Sequence, residues 1–244
     1  MAESKHYREW INRQGLTNFQ VRYAETDLFI MAESNLSAEA KTLILKYHKQ
    51  IRDYIHKNPA FETSLEPLPA DNSAPPIINE MIEAGQKACV GPMAAVAGVI
   101  AEYIGRELLS FSQEIIIENG GDLFIKSSRE RVAAIYAGTS PLSGKIGVKI
   151  PGDSCARGVC TSSGTFGHAI SFGKADAALA VSRSAALADA AATAIGNAVK
   201  TAADIDNALK LAQQIPGIDA ALIIIEANLG AWGDIEFTRL DTER

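Results

Sequence analysis

The sequence predicts an α+β fold in one domain, with a largely antiparallel sheet and packed helices. Three observations carry that prediction. The strand patterns come in neighbouring pairs joined by short turns, which suits an antiparallel sheet better than a doubly wound parallel one. Two helical patterns are built almost wholly of Ala, Gly and other small residues, which suits close packing against a second backbone. The chain has 244 residues, 47% of them hydrophobic and 21% charged, which allows a full core in an ordinary globular protein.

Taken in order, residues 19–33 read as two strands around a turn near Thr26–Asp27, because Val21 and Tyr23 alternate with Gln20 and Arg22. Ser37 is a candidate N-cap for the helix that follows. Ala40, Ile44, Tyr47, Ile51 and Ile55 recur there at helical spacing, with Lys41, Lys49, Arg52 and Lys57 off the stripe. Asn58–Pro59 ends it, and His48 and His56 fall on its charged side, as solvated histidines do. Residues 61–76 begin as a short strand and become a Pro-rich connection, and Pro76 opens a helix that runs to Gln86.

Gly91–Pro92 breaks the chain before a helix whose first turns carry no charge. Packing accounts for such a helix, and so does a polar ligand at its N-terminus. Residues 115–125 are strand, turn and strand about Asn119–Gly120. A plain hairpin turn explains Gly120 and Gly121; equally, two glycines let a ligand approach bare backbone. Arg131–Gly138 and Lys145–Ile150 are two further strands. Asp204–Gln214 is a charged amphipathic helix, and Asp219–Glu226 and Ala231–Thr238 are the last strands, with Glu236, Arg239, Asp241, Glu243 and Arg244 in a solvated tail.

The chemistry concentrates in residues 158–199. The first part, Gly158 to Gly173, reads as a loop of small residues with Cys160, Ser162, Ser163, Gly164 and His168. After the apolar run Ala177–Val181, a helix capped by Ser182 or Ser184 carries Asp189 and Thr193. Their spacing puts two oxygens on one helix face. Cys160 lies eight residues before His168, a pairing that would make the thiol a nucleophile if they meet, with Cys155 as a resolving thiol. Cys160 also fits as a small buried residue, and Cys89 as a structural one.

Other classes are excluded or disfavoured. A net charge of −6 argues against general nucleic-acid binding, though not against one bound nucleotide. The N-terminal stretch is polar and lacks a signal-like apolar region, and the apolar windows near 90–104 and 179–195 are too rich in Ala and Gly for a membrane span, so a cytoplasmic protein is expected. Three cysteines with no Cys-x-x-Cys pair make no disulfide framework, and four scattered histidines make no zinc site.

Three segments, in order, resemble the ApbE-like proteins, whose founding members are FAD:protein FMN transferases. They are Val90–Gly98, the turn Ile117–Asp122, and the long stretch holding Thr161-Ser-Ser-Gly164, His168-Ala-Ile-Ser171 and Leu187-Ala-Asp189-Ala-Ala-Ala-Thr193-Ala. The last segment is similar to the family's Ala-Asp-Ala-x-x-Thr signature and is the most specific. The match covers roughly residues 85–199, and the run from Cys160 to Gly173 further resembles a shorter branch found in archaea and anaerobic bacteria. The resemblance implies a single ApbE-like domain over 1–244. It implies Asp189 and Thr193 as ligands of a magnesium ion (Mg2+) on the pyrophosphate of FAD or a related nucleotide. Gly120, Gly121, Ser162, Ser163 and Gly164 would line the nucleotide site.

This sequence departs from the family at Ser171–Phe172, where the transferases have Asp-Pro, so that carboxylate is absent. The resemblance thus implies an enzyme, or a binding protein, for a flavin dinucleotide, with any acceptor protein left open. Two other readings stand beside it. One is thiol or persulfide handling in sulfur assimilation, with Cys160 and His168 as the catalytic pair. The other is a module that keeps the fold without chemistry. The small-residue helix 93–101 fits packing within one chain or between two copies, so a homo-oligomer stays open.

Overall fold

The computed structural model describes residues 15–153, 155–164, 172–234 and 236–240. Strands β1 (Thr17–Tyr23) and β2 (Thr26–Ala32) form the first hairpin. Its turn sits at Ala24–Glu25, just before the predicted place, with Ala24 at φ +50°. Helix α1 (Ser37–Lys57) follows with Ala40, Ile44, Tyr47 and Ile51 buried along one stripe. Ser37 is not its cap. The Ser37 amide donates to Asn35 Oδ1 at 3.0 Å, and Leu36 occupies the cap position.

Residues 60–63 correct the expected strand there: Ala60–Thr63 is a short helix, α2, because Pro59 presets a helical φ of −58° and Phe61 plugs into the core at 1% exposure. Helix α3 (Pro76–Ala88) begins on its proline as expected. A 3-10 turn over Pro92–Ala95 then leads into α4 (Val96–Leu108), which buries seven apolar or glycine positions and Glu102.

Strands β3 (Ile115–Asn119) and β4 (Asp122–Lys126) make the second hairpin, and β5 (Arg131–Ala134) with β6 (Ile146–Ile150) the third. Next come β7 (Arg157–Ser162) and β8 (Ala177–Ser182). Residues 158–162, loop-like in composition, lie in β7 because both neighbours, β4 and β8, offer antiparallel partners. Helices α5 (Ala185–Ala198) and α6 (Ile205–Gln214), then strands β9 (Ile218–Ile225), β10 (Asn228–Gly233) and β11 (Glu236–Arg239), complete the order. Glu236 and Arg239 are exposed, as expected, but both lie in a strand paired with β6 rather than in a tail.

The strands form an eight-stranded sheet in the order β1-β2-β3-β4-β7-β8-β9-β10 and a three-stranded sheet β11-β6-β5, with every recorded pair antiparallel. The large sheet is covered on both faces, so its central strands are apolar throughout rather than alternating. One face, with Leu28, Ile117, Phe124, Cys160, Ala180 and Ile223, packs under the helices. The other, with Met31, Ile116, Val159, Leu179 and Leu222, packs on Ala133, Ile135, Val148 and Ile150 beside the small sheet. This is an α+β domain in three layers. Among the described residues no single helix is long and apolar enough to cross a membrane.

Candidate functional site

Helix α5 is the wall on which the site is built. Its first turn is held twice. Ser184 Oγ accepts from Leu187 N at 3.2 Å, as an N-cap should. Glu102 of α4, fully buried, accepts from Ala186 N at 3.1 Å and from Ser184 Oγ at 3.1 Å, and pairs with Arg106. Ten of the fourteen α5 residues are buried, seven of them Ala and one Gly, so neighbouring backbones come very near. The nearest approach is at Gly98, where a Cβ would sit 2.2 Å from the Ala185 carbonyl oxygen and 2.8 Å from Asp189 Cβ. Only glycine fits between these helices.

That contact delivers Asp189 to the start of α4. Its Oδ2 accepts from Gly98 N at 2.8 Å, and the Ala97 amide also supports it. The carboxyl is nevertheless pushed up to about 7, because burial outweighs these hydrogen bonds. Across from it lies Asp122, the first residue of β4, whose Oδ1 accepts from Thr161 N at 3.2 Å. Burial first, and then the charge of Asp189, hold the Asp122 carboxyl well above the usual range. Two carboxyls thus share one poorly solvated place, with the Cys160 thiol against Asp122.

Cys160 lies in β7, fully buried, and donates to Ala185 O at 3.4 Å. Burial, and then the charges of Asp122 and Asp189, push its thiol well up. This setting opposes the thiolate that nucleophilic chemistry requires. The partner proposed for it, His168, lies outside the described residues. Cys155 is partly exposed, its amide donating to Asp153 Oδ1 at 2.9 Å, and Cys89 is exposed as the left-handed cap of α3 at φ +56°.

The glycine turn faces the same region. Gly120 and Gly121 take φ of +70° and +111°, as a two-residue hairpin with both central residues left-handed requires. Among the described residues, no atom beyond its chain neighbours lies within 4 Å of where a Gly120 Cβ would be. The Gly121 amide is taken by Glu118 Oε1 at 2.9 Å. Ser162 is buried at the end of β7; Ser163 and Gly164 follow, with Gly164 N donating to Ala175 O at 2.9 Å. Thr193 is partly exposed on α5, one turn beyond Asp189.

The structure thus places the Asp189 helix face, Cys160 and the glycine turn around one another. Asn119 and Asp122 belong to the turn segment that carries the resemblance, but the sequence assigns a site role only to Gly120 and Gly121 between them. Their signal was present: they are the paired residues flanking a hairpin turn, Asn119 opposite Asp122. Asn119 donates through Nδ2 to Ala97 O at 3.0 Å, beside the amides that Asp189 accepts.

A family model described as AbpE bacteria matches residues 8–233. UPF0280 proteins of Methanococcus aeolicus and Methanocaldococcus jannaschii are 43% and 41% identical, over 80% and 81% of this chain and 81% and 82% of theirs. The chain is a UPF0280-family member of the ApbE-like superfamily. A UPF0280 protein of Methanococcoides burtonii, 36% identical, extends the likeness over 93% of this chain. The flavinyl transferase ApbE of Pseudomonas stutzeri shares the fold, with a TM-score of 0.55 over 92% of this chain and 94% of its own at 14% identity. A variant of the flavin transferase ApbE from Vibrio cholerae does so too, with a TM-score of 0.55 over 89% and 96% at 10% identity.

Proposed function

We propose that this UPF0280 chain binds a flavin dinucleotide, FAD or a close relative, through a divalent cation held at Asp189 and Thr193. The observation that carries the reading is the half-buried Asp189 carboxyl, oriented by the Gly98 amide and beside the buried Asp122 carboxyl. A carboxyl with a pKa of about 7 is poorly stabilised as an anion, and a cation stabilises it. The donors fit magnesium: a carboxylate and a hydroxyl one helical turn apart, all hard oxygens, with room in the sphere for phosphate oxygen and water. When bound, the metal would neutralise the pyrophosphate and polarise it.

The chain's own residues supply the rest. The Gly98 and Ala97 amides orient the Asp189 carboxyl at the start of α4. The bare Gly120 backbone gives a flat ligand a close approach, and Ser162 and Ser163 offer hydroxyls, with Gly164 closing the same segment. Flavin transfer to an acceptor protein does not form part of this reading, because Ser171 stands where the transferases have a carboxylate. Thiol chemistry at Cys160 is disfavoured by the thiol's burial and its raised pKa.

The test is FAD titration of the purified protein, followed by flavin fluorescence, with magnesium and with chelator. Binding is expected with magnesium only, and Asp189→Ala should abolish it. Equal affinity with chelator, or no binding at all, would overturn the proposal.

A further inference from the structure

We propose that Asn119 and Asp122 are a positioning pair, which fixes the glycine turn against the Asp189 helix and the Ser162–Gly164 edge together. This deepens the flavin-binding reading and rests on it. The β4–β7 ladder pairs Ile125 with Arg157, Phe124 with Gly158 and Leu123 with Val159, and no farther. Beyond that point β7 runs on beside β8 alone, through Thr161 and Ser162. The Asp122 side chain takes over from the ladder, accepting the Thr161 amide at 3.2 Å. It thereby holds the last residues of β7 just ahead of Ser163 and Gly164.

Asn119 does the same on the other side of the turn. Its Nδ2 donates to Ala97 O at 3.0 Å, while the next amide, Gly98 N, donates to Asp189 Oδ2 at 2.8 Å. The first turn of α4 is therefore gripped between the hairpin and Asp189. Since Asn119 and Asp122 face each other across Gly120–Gly121, one hairpin sets the place of three walls. Asp122 works in this as a hydrogen-bond acceptor, so an amide oxygen can replace its carboxyl oxygen. Asn119 works as a donor, which no carboxylate can replace. Neither residue needs to touch the ligand.

The experiment compares wild type, Asp122→Ala, Asp122→Asn, Asn119→Ala and Asn119→Asp in three measurements: FAD affinity with magnesium, melting temperature, and amide hydrogen exchange. Asp122→Ala, Asn119→Ala and Asn119→Asp should each weaken FAD binding on the order of tenfold or more, as loss of an orienting partner does. Asp122→Asn should stay within about threefold of wild type, since it keeps the oriented acceptor. Exchange at Thr161 should accelerate in Asp122→Ala, and exchange at Gly98 in Asn119→Ala, although the direct acceptor of Gly98 is untouched there. Full affinity in Asp122→Ala, or Asp122→Asn as weak as Asp122→Ala, overturns the proposal. So does a fall in melting temperature with affinity unchanged. If wild type itself fails to bind FAD, the function proposed above falls, and exchange alone decides this one: unchanged Gly98 exchange in Asn119→Ala overturns it. Should Asp122→Ala not fold, the Asn119 variants and Asp122→Asn still decide.

Discussion

At the scale of single residues, burial decides more here than residue type. Cys160 is a potential nucleophile by type and a core residue by place, with its thiol hydrogen-bonded to the Ala185 carbonyl. A thiol-specific reagent at neutral pH should therefore modify Cys89 and Cys155 in the native protein and reach Cys160 only on unfolding. Rapid native modification of Cys160 would contradict its placement. Glu114 shows the opposite balance. Burial pushes its carboxyl up, but hydrogen bonds from Ser128, Arg131 and Ser127 outweigh that and hold it at about 2. Cys160, Asp189 and the glycine turn were all visible as residues. Their mutual placement is not legible, because it depends on side-chain hydrogen bonds of Asp122 and Asn119 to distant backbone, which their place in the turn segment does not announce.

At the scale of elements, the hairpins and the helix ends were legible wherever local chemistry fixed them. Gly120–Gly121, Pro76 and Ser184 set their turn, start and cap through their own backbone or side chain. Elsewhere a tertiary partner decides. Strand β7 has a loop-like composition and is a strand because β4 and β8 pair with it. His48 falls on the charged side of the α1 stripe, yet it is partly buried, bonded to Thr26 Oγ1 at 2.6 Å and edge-on to Tyr23. The α4–α5 contact is the element-level feature with most to test. Gly98→Ala puts a methyl group against the Ala185 carbonyl, so α4 must move away from α5. Overpacking of this kind costs about 1–3 kcal/mol, and denaturant melts should show at least that loss. Since the same shift pulls the Gly98 amide from Asp189, any FAD affinity should fall with it.

For the whole molecule, the eight-stranded sheet packs β7 and β8 against α5, so the carboxyls near α5 titrate in a setting the entire fold maintains. The consequence is a pH dependence whose sign can be worked out. Asp189 has a folded pKa of about 7 against an ordinary 3.8. Between those values the folded chain holds a proton that the unfolded chain has lost, so stability falls as pH rises through that window. Asp122 acts in the same direction. Glu114, at about 2 against an ordinary 4.5, contributes stability that is complete above about pH 4.5 and lost as pH falls toward 2. The two effects occupy different windows, and a variant separates them. Asp189→Asn keeps an acceptor for Gly98 and removes the titrating group. Chemical denaturation in chelator should show wild type losing stability between about pH 4.5 and 7, with a shallower loss in Asp189→Asn. Magnesium should flatten the wild-type curve as well, because a cation replaces the proton on the same carboxyl. A wild-type slope that neither the variant nor magnesium alters would place the pH dependence elsewhere in the fold and remove the electrostatic ground for a cation at Asp189.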